Sequence, residues 1–168
     1  DIGCYTLAAT PPLAAMHTTI CMGAGVTVHE GLWRALKDGQ AEADGRQKIV
    51  GVIGDSTFIH SGITGLVNAV YNRAEGLIVI LDNSTTAMTG GQNHPGTGRT
   101  IREQATSRLD LEALCRACGV DSVDVIDPYR YPTLTGLLRK RLEEPGLAVI
   151  IARRPCKLHD RERTPAPA

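Results

Sequence analysis

The sequence predicts an α/β domain, a mostly parallel, doubly wound sheet with helices on both faces. Three observations predict it. Residues 49–53 and 77–81 are continuous apolar runs of the kind buried on both faces of a parallel sheet. Between them, residues 63–72 carry a helical pattern, with Leu66, Val67, Val70 and Tyr71 on one side. Further strand-like runs at 18–21, 120–126 and 147–152 alternate with helical segments, so five strands are expected in one domain.

In chain order, residues 1–15 are punctuated by Gly and Pro. Pro11-Pro12 excludes a helix running through them but permits a short one over 13–16. The β-branched run 18–21 reads as a strand. Met22-Gly23-Ala24-Gly25 then opens a helix to about Leu36, with Val26, His29, Trp33 and Leu36 as its apolar stripe. A small-residue turn of this kind exposes backbone N–H groups that can receive a phosphate or approach a ring closely. His29 and Trp33 read as core or interface packing. Residues 37–48 are polar and read as a loop.

The run 49–53 has the composition of a central strand and ends in Gly54-Asp55-Ser56. Ser61 is placed to cap the next helix. The second central run, 77–81, ends in Asp82-Asn83, and a long Thr-, Gly- and Asn-rich connection, 84–98, follows. Long ordered connections are usually functional. Asp110 caps a helix over 111–118 that Gly119 stops. The strand 120–126 alternates enough to lie near an edge. The helix 133–143 turns Leu134, Leu137, Leu138 and Leu142 inward, with Arg139-Lys140-Arg141 as solvated charge. The last strand is 147–152, so the domain spans 1–152, and 153–168 reads as a charged, Pro-rich tail or tether.

Composition narrows the function. The 168 residues are 42% hydrophobic and 21% charged, as in ordinary globular proteins. Lys+Arg and Asp+Glu both total 18, so no net field recruits nucleic acid or an anionic membrane. Aromatics at 4% offer little for base stacking. No apolar run reaches the ~20 residues of a membrane span. The chain opens on Asp1, and the expectation is a piece of a longer protein. Five cysteines, an odd count, fit a reduced, cytoplasmic compartment. Cys115-Arg116-Ala117-Cys118 has CxxC spacing but no second pair and lies in a helical pattern, so two small residues near a helix end is the reading favoured over a metal or redox site.

The chemistry concentrates at two strand ends. In a parallel sheet these lie side by side, where open α/β sheets bind ligands. Asp55 offers a carboxylate just after a Gly, and Asn83 an amide oxygen at the equivalent place on the next strand. A few hard oxygen ligands suit Mg²⁺, which completes its octahedron with waters and phosphate oxygens. So sparse a set is suited to share the ion with a diphosphate.

Gly54-Asp55-Ser56, followed at the right spacing by Asp82-Asn83, resembles the Gly-Asp-Gly…Asn signature of thiamine-diphosphate enzymes. Thr85-Thr86-Ala87-Met88-Thr89-Gly90 and the opening Asp1-Ile2-Gly3-Cys4-Tyr5-Thr6-Leu7 are similar to the 2-oxoacid:ferredoxin oxidoreductases, most of all to the large subunit of the indolepyruvate type. The resemblance is strong over about 1–100 and rests on pattern beyond. It implies the thiamine-diphosphate-binding fold. It implies that Asp55, Asn83 and the Thr85 carbonyl bind Mg²⁺. It implies cofactor contacts from Cys21, Met22, Gly23, Gly54, Asp55, Ser56, Thr57, Asn83, Thr85, Met88 and Thr89. Gly3-Cys4 would pass near the cofactor, or Cys4 is a buried cysteine. His60 is a candidate proton carrier beside the thiamine ring, or else a His at a helix start bonded to a loop. His94 is a second candidate.

The activity so implied is oxidative decarboxylation of a 2-oxoacid, an aryl one such as indolepyruvate favoured, to an acyl-coenzyme A with electrons passed to ferredoxin. The Glu that activates the cofactor has no candidate with supporting context among Glu30, Glu42 and Glu75. It is therefore expected on a second domain or subunit, and an iron–sulfur cluster on a partner or missing domain. The chain alone is expected to be inactive and the protein oligomeric. Two alternatives remain: a subunit of a non-oxidative thiamine-dependent 2-oxoacid decarboxylase, such as a sulfopyruvate-decarboxylase-like one, and a non-catalytic binding module that keeps the fold. Asp55→Ala is expected to remove cofactor binding and leave the fold intact.

Overall fold

A computed structural model describes residues 1–38 and 48–158. Positions 39–47 of the expected loop and 159–168 of the expected tail lie outside them. The order is a 3-10 helix (Cys4–Ala9), α1 (Ala24–Asp38), β1 (Val50–Gly54), α2 (Asp55–Thr57), a π-helical turn (Phe58–Gly62), α3 (Ile63–Tyr71), β2 (Gly76–Asp82), a second 3-10 helix (Ala87–Thr89), α4 (Leu111–Ala117), β3 (Ser122–Ile126), α5 (Tyr131–Glu143) and β4 (Leu147–Arg153).

The strands form one all-parallel sheet in the order β1-β2-β4-β3. Side chains alternate across it and build two cores. On one face Ile53, Ile78, Ile80, Val149 and Ile151 pack with Val26, Leu66, Leu111 and Cys115 from α1, α3 and α4. On the other, Leu77, Val79, Ala148 and Ile150 pack with Leu134, Leu137, Leu138 and Leu142 of α5. The sheet is doubly wound, as expected, and among the described residues Leu-rich α5 covers the second face. Burying each large aliphatic chain contributes about 1.5–3 kcal/mol, and Ile53, Leu77, Ile78, Ile80, Val149, Ile150 and Ile151 of the strands are all completely buried.

Several expectations change. Residues 18–21 form no strand, so the described sheet has four strands and not five. β1 is therefore an edge strand, leaving Val50 42% exposed, and β2 and β4 are central. The short helix lies at Cys4–Ala9, before Pro11-Pro12 rather than after. The helix after β1 begins at Asp55 itself, so Ser61 sits inside the π-helical turn and caps nothing; its Oγ lies 3.4 Å from the Thr57 carbonyl. Arg141 is not solvated. It holds Asp124 of β3 through both oxygens, at 2.6 and 3.0 Å, and so pins α5 to the sheet edge.

Asp110 does cap α4, accepting from the Glu112 and Ala113 amides, and Gly119 follows at φ +94°. His29 is core, 1% exposed, and burial pushes its imidazole down to about 4. Cys115 is fully buried with its thiol pushed up to about 12, the state of an inert core residue. Among the described residues no helix is long and apolar enough to cross a membrane.

Candidate cofactor and metal site

β1 and β2 run in register with Gly54 opposite Leu81, so Asp55 and Asp82-Asn83 emerge together at the carboxyl edge of the sheet. Asp55 is 2% exposed. Its Oδ1 accepts from the Ser56 amide at 2.8 Å and its Oδ2 from the Ser84 amide at 2.9 Å. The carboxylate at the end of the first strand thus holds the loop that leaves the second. Asn83 Oδ1 accepts from the Thr85 amide at 3.1 Å, and Ser84 takes a left-handed φ of +60°. This side-chain turn buries Thr85. Among the described residues no donor reaches the Thr85 carbonyl, and the buried Thr85 Oγ1 has no partner.

The two neighbours at the end of β2, Asp82 and Asn83, divide their roles. Asp82, also 2% exposed, receives Arg153 Nε at 2.6 Å and lies 3.7 Å from Arg108. It is a structural ion pair, so Asn83 is the member of Asp82-Asn83 left to serve a ligand.

A cavity of about 290 Å³ opens beside these groups. Asp55, Asn83 and Thr85 line it together, as do Gly54, Ser56, Thr57, Met22 and Met88 from the sequence-predicted set. Cys21, Gly23, Thr89 and His60 are not in its wall. Cys21, Thr89 and His60 are exposed, and Gly23 is buried. A Cβ on Gly23 would fall 2.0 Å from Ser61 Oγ, and its φ is +94°, so this glycine serves close packing of the turn onto the helix.

The sequence reading missed three contributors. Asp1 places its carboxylate at the start of α1, accepting from the Gly23 amide at 2.8 Å and the Gly25 amide at 3.2 Å. The amides expected to receive a phosphate there are already occupied by an anion. Tyr5 leans over the end of β1, where its hydroxyl accepts from the Gly54 amide at 3.2 Å. Burial pushes that phenol up to about 12, so it keeps its proton to donate. Finally, residues 153–156 do not leave as a tether. Arg154 stacks 3.8 Å from the Tyr129 ring centroid, the Cys156 amide binds the Asn83 carbonyl at 3.0 Å, and both residues line the cavity. A charged, Pro-rich composition conceals these contacts.

The sequence profile of the thiamine pyrophosphate enzyme C-terminal TPP-binding domain matches residues 1–152. The chain belongs to this family. It is 49% identical over 158 residues to the indolepyruvate oxidoreductase subunit IorA of Archaeoglobus fulgidus, covering 94% of this chain and 24% of that protein. It is 44% identical over 164 residues to the subunit of the same name from Thermococcus kodakarensis, covering 95% and 25%. The chain therefore spans about a quarter of the length of these relatives. Its fold matches that of the 2-oxoglutarate:ferredoxin oxidoreductase from Magnetococcus marinus at TM-score 0.64 and 15% identity, over 80% of this chain and 46% of that one. It also matches a thiamine diphosphate-dependent 4-hydroxybenzoylformate decarboxylase from Rhodococcus jostii at TM-score 0.54 and 22% identity, over 80% and 23%.

The residues of this TPP-binding domain fit the group. Asp55, Asn83 and Thr85 line one cavity, and their carboxylate, amide and carbonyl oxygens are the hard donors Mg²⁺ takes. Thr85 also carries a buried hydroxyl without a protein partner, and Met22 and Met88, in the cavity wall, would give the group apolar contact. No Glu lines the cavity among the described residues. Glu30 is instead 4% exposed between α1 and α3, bound by Arg34 and Asn68, and Glu75 is exposed. Glu42 lies outside the described residues.

Proposed function

We propose that this domain is the thiamine-diphosphate- and Mg²⁺-binding part of a 2-oxoacid:ferredoxin oxidoreductase of the indolepyruvate type. Its substrate is a 2-oxoacid, an aryl one favoured, its product an acyl-coenzyme A, and its electron acceptor ferredoxin. The observation that carries the reading is the meeting of Asp55, Asn83 and Thr85 on one cavity at the carboxyl ends of adjacent parallel strands. The names of the relatives supply the choice of reaction.

When bound, thiamine diphosphate supplies the electron sink for decarboxylating a 2-oxoacid. The protein supplies the rest. Asp55 and Asn83 side chains and the Thr85 carbonyl would hold the metal, and with it the diphosphate. Met22 and Met88 would shape the space for the rings. Tyr5 holds the Gly54 amide and keeps a hydroxyl proton at the cavity wall. The activating Glu would come from a second domain or subunit, which puts the complete site at an interface and makes this chain inactive alone. The cluster that takes up the electrons would lie on a partner or another domain, beyond a boundary near 152. A cytoplasmic oligomer fits this assembly.

The test uses the full-length protein with its partner. Calorimetric titration with thiamine diphosphate should show binding that needs Mg²⁺ and is lost in Asp55→Asn. Binding that ignores Mg²⁺, or survives Asp55→Asn, would overturn the reading. In the loaded assembly, acceptor reduction should require both a 2-oxoacid and coenzyme A; carbon dioxide release without an acceptor would replace the oxidative reaction with simple decarboxylation.

A further inference from the structure

His94 lies in the long connection between β2 and α4, 39 positions after Asp55 in sequence and against it in space. Its Nε2 is 3.3 Å from Asp55 Oδ2, and both side chains are nearly buried, at 8% and 3% exposure. The other ring nitrogen settles the tautomer. Nδ1 lies 3.2 Å from the Gly96 amide, which can only donate. In the neutral ring the proton therefore sits on Nε2, the atom facing the carboxylate. Yet Nε2 is buried without an aligned hydrogen-bond partner. A buried donor is rarely left unpaired, and the Asp55 carboxylate is the acceptor beside it.

The loop holds the ring in place. A Cβ on Gly96 would approach His94 Cε1 to 3.0 Å and Ile59 Cδ1 to 3.1 Å, so the glycine makes room for the imidazole. The His94 carbonyl accepts from both the Thr97 amide and hydroxyl at 2.9 Å. The Leu109 amide closes the base of the loop on the Pro95 carbonyl at 2.9 Å. His94 is also absent from the cavity wall that Asp55, Asn83 and Thr85 share. It lies against the carboxylate, outside that wall. These contacts point to a role other than that of a proton carrier.

We propose that His94 is a positioning residue for the metal-binding carboxylate: its Nε2–H holds Asp55 Oδ2, leaving Oδ1 for the cation, and couples the order of the 84–98 connection to metal binding. The inference rests on the functional reading above. Oδ2 already accepts the Ser84 amide, so a second donor there saturates it, whereas Oδ1 has only the Ser56 amide. Partners of this kind orient metal ligands, and their loss typically weakens metal binding about 10- to 100-fold.

The test is a Mg²⁺ titration of thiamine-diphosphate binding by the full-length protein with its partner, comparing His94→Asn with His94→Gln. Gln reaches the position of Nε2 with a donor; Asn does not. The expected result is a metal affinity at least about tenfold weaker in His94→Asn, and within about threefold of wild type in His94→Gln. Any other pattern, including equal losses or no loss, overturns the positioning role. Metal-free unfolding of the same variants separates loss of orientation from loss of fold. Should His94→Asn not fold, Gly96→Ala displaces the ring without removing it and should weaken metal binding in the same direction; unchanged affinity overturns the proposal. A wild-type protein that binds no thiamine diphosphate with Mg²⁺ fails at the functional reading, and the role of His94 falls with it.

Discussion

Replacing Asp55 by Ala tests the site and the fold together, because the carboxylate has two jobs. It faces the cavity, and it also accepts the Ser56 and Ser84 amides. The sequence alone suggests that Asp55→Ala removes a ligand and leaves the fold; the structure says otherwise. At 2% exposure, water cannot readily replace the lost acceptor. Each of these part-buried donors left unmet costs about 1–3 kcal/mol, more for bonds to a charged acceptor, so the pair should cost about 3–5 kcal/mol. Asp55→Asn keeps one oxygen to accept one amide and turns its NH₂ towards the other, which should roughly halve the loss. The assay is hydrogen exchange followed by mass spectrometry on peptides covering Ser56 and Ser84 in metal-free full-length protein. At about 1.4 kcal/mol per factor of ten, exchange there should quicken about 10²- to 10³-fold or more in Asp55→Ala and far less in Asp55→Asn. Exchange at Ser84 unchanged in Asp55→Ala would refute the reasoning, since the carboxylate would then not be what holds the second loop. Asp55→Asn is accordingly the better variant for cofactor binding.

Three further outcomes are expected. His29 is held neutral by burial, its pKa lowered from 6.5 to about 4, so the unfolded chain binds more protons between those values. Stability should be fully present above about pH 6.5 and fall by up to about 3 kcal/mol as pH drops towards 4; urea midpoints of wild type and His29→Leu at about pH 5 and about pH 7 check this, and equal pH slopes would contradict it. Gly23→Ala puts a Cβ 2.0 Å from Ser61 Oγ at a φ of +94° and should cost about 2–4 kcal/mol; adding Ser61→Gly should recover the steric part, and a purely additive double variant would argue against the clash. Ile150→Ala, in the middle of central β4 and fully buried, should cost about 2–5 kcal/mol in thermal or urea unfolding, whereas Val125→Ala on edge strand β3, 38% exposed, should cost under about 1.

The features legible in the amino-acid order are local and periodic. Continuous apolar runs marked β2, β4 and β1, the leucine spacing marked α5, and Asp110 and Gly119 bracketed α4, because burial, helical period and capping act over a few residues. Gly54-Asp55-Ser56 and Asp82-Asn83 were legible for the same reason: each lies where a strand stops, and parallel strands stop side by side. The remaining features depend on which strand pairs with which. Hydrophobicity does not distinguish an edge from a centre, so β1 read as central, and residues 18–21 read as a strand although β-branched residues form one only beside a partner ladder. The contacts that complete the site join distant positions: Asp1 with Gly23, Tyr5 with Gly54, His94 with Asp55, and Arg153 with Asp82 across 71 residues. No period or spacing encodes them, because a buried charge or donor finds its partner only once the packed sheet excludes water and brings the two together.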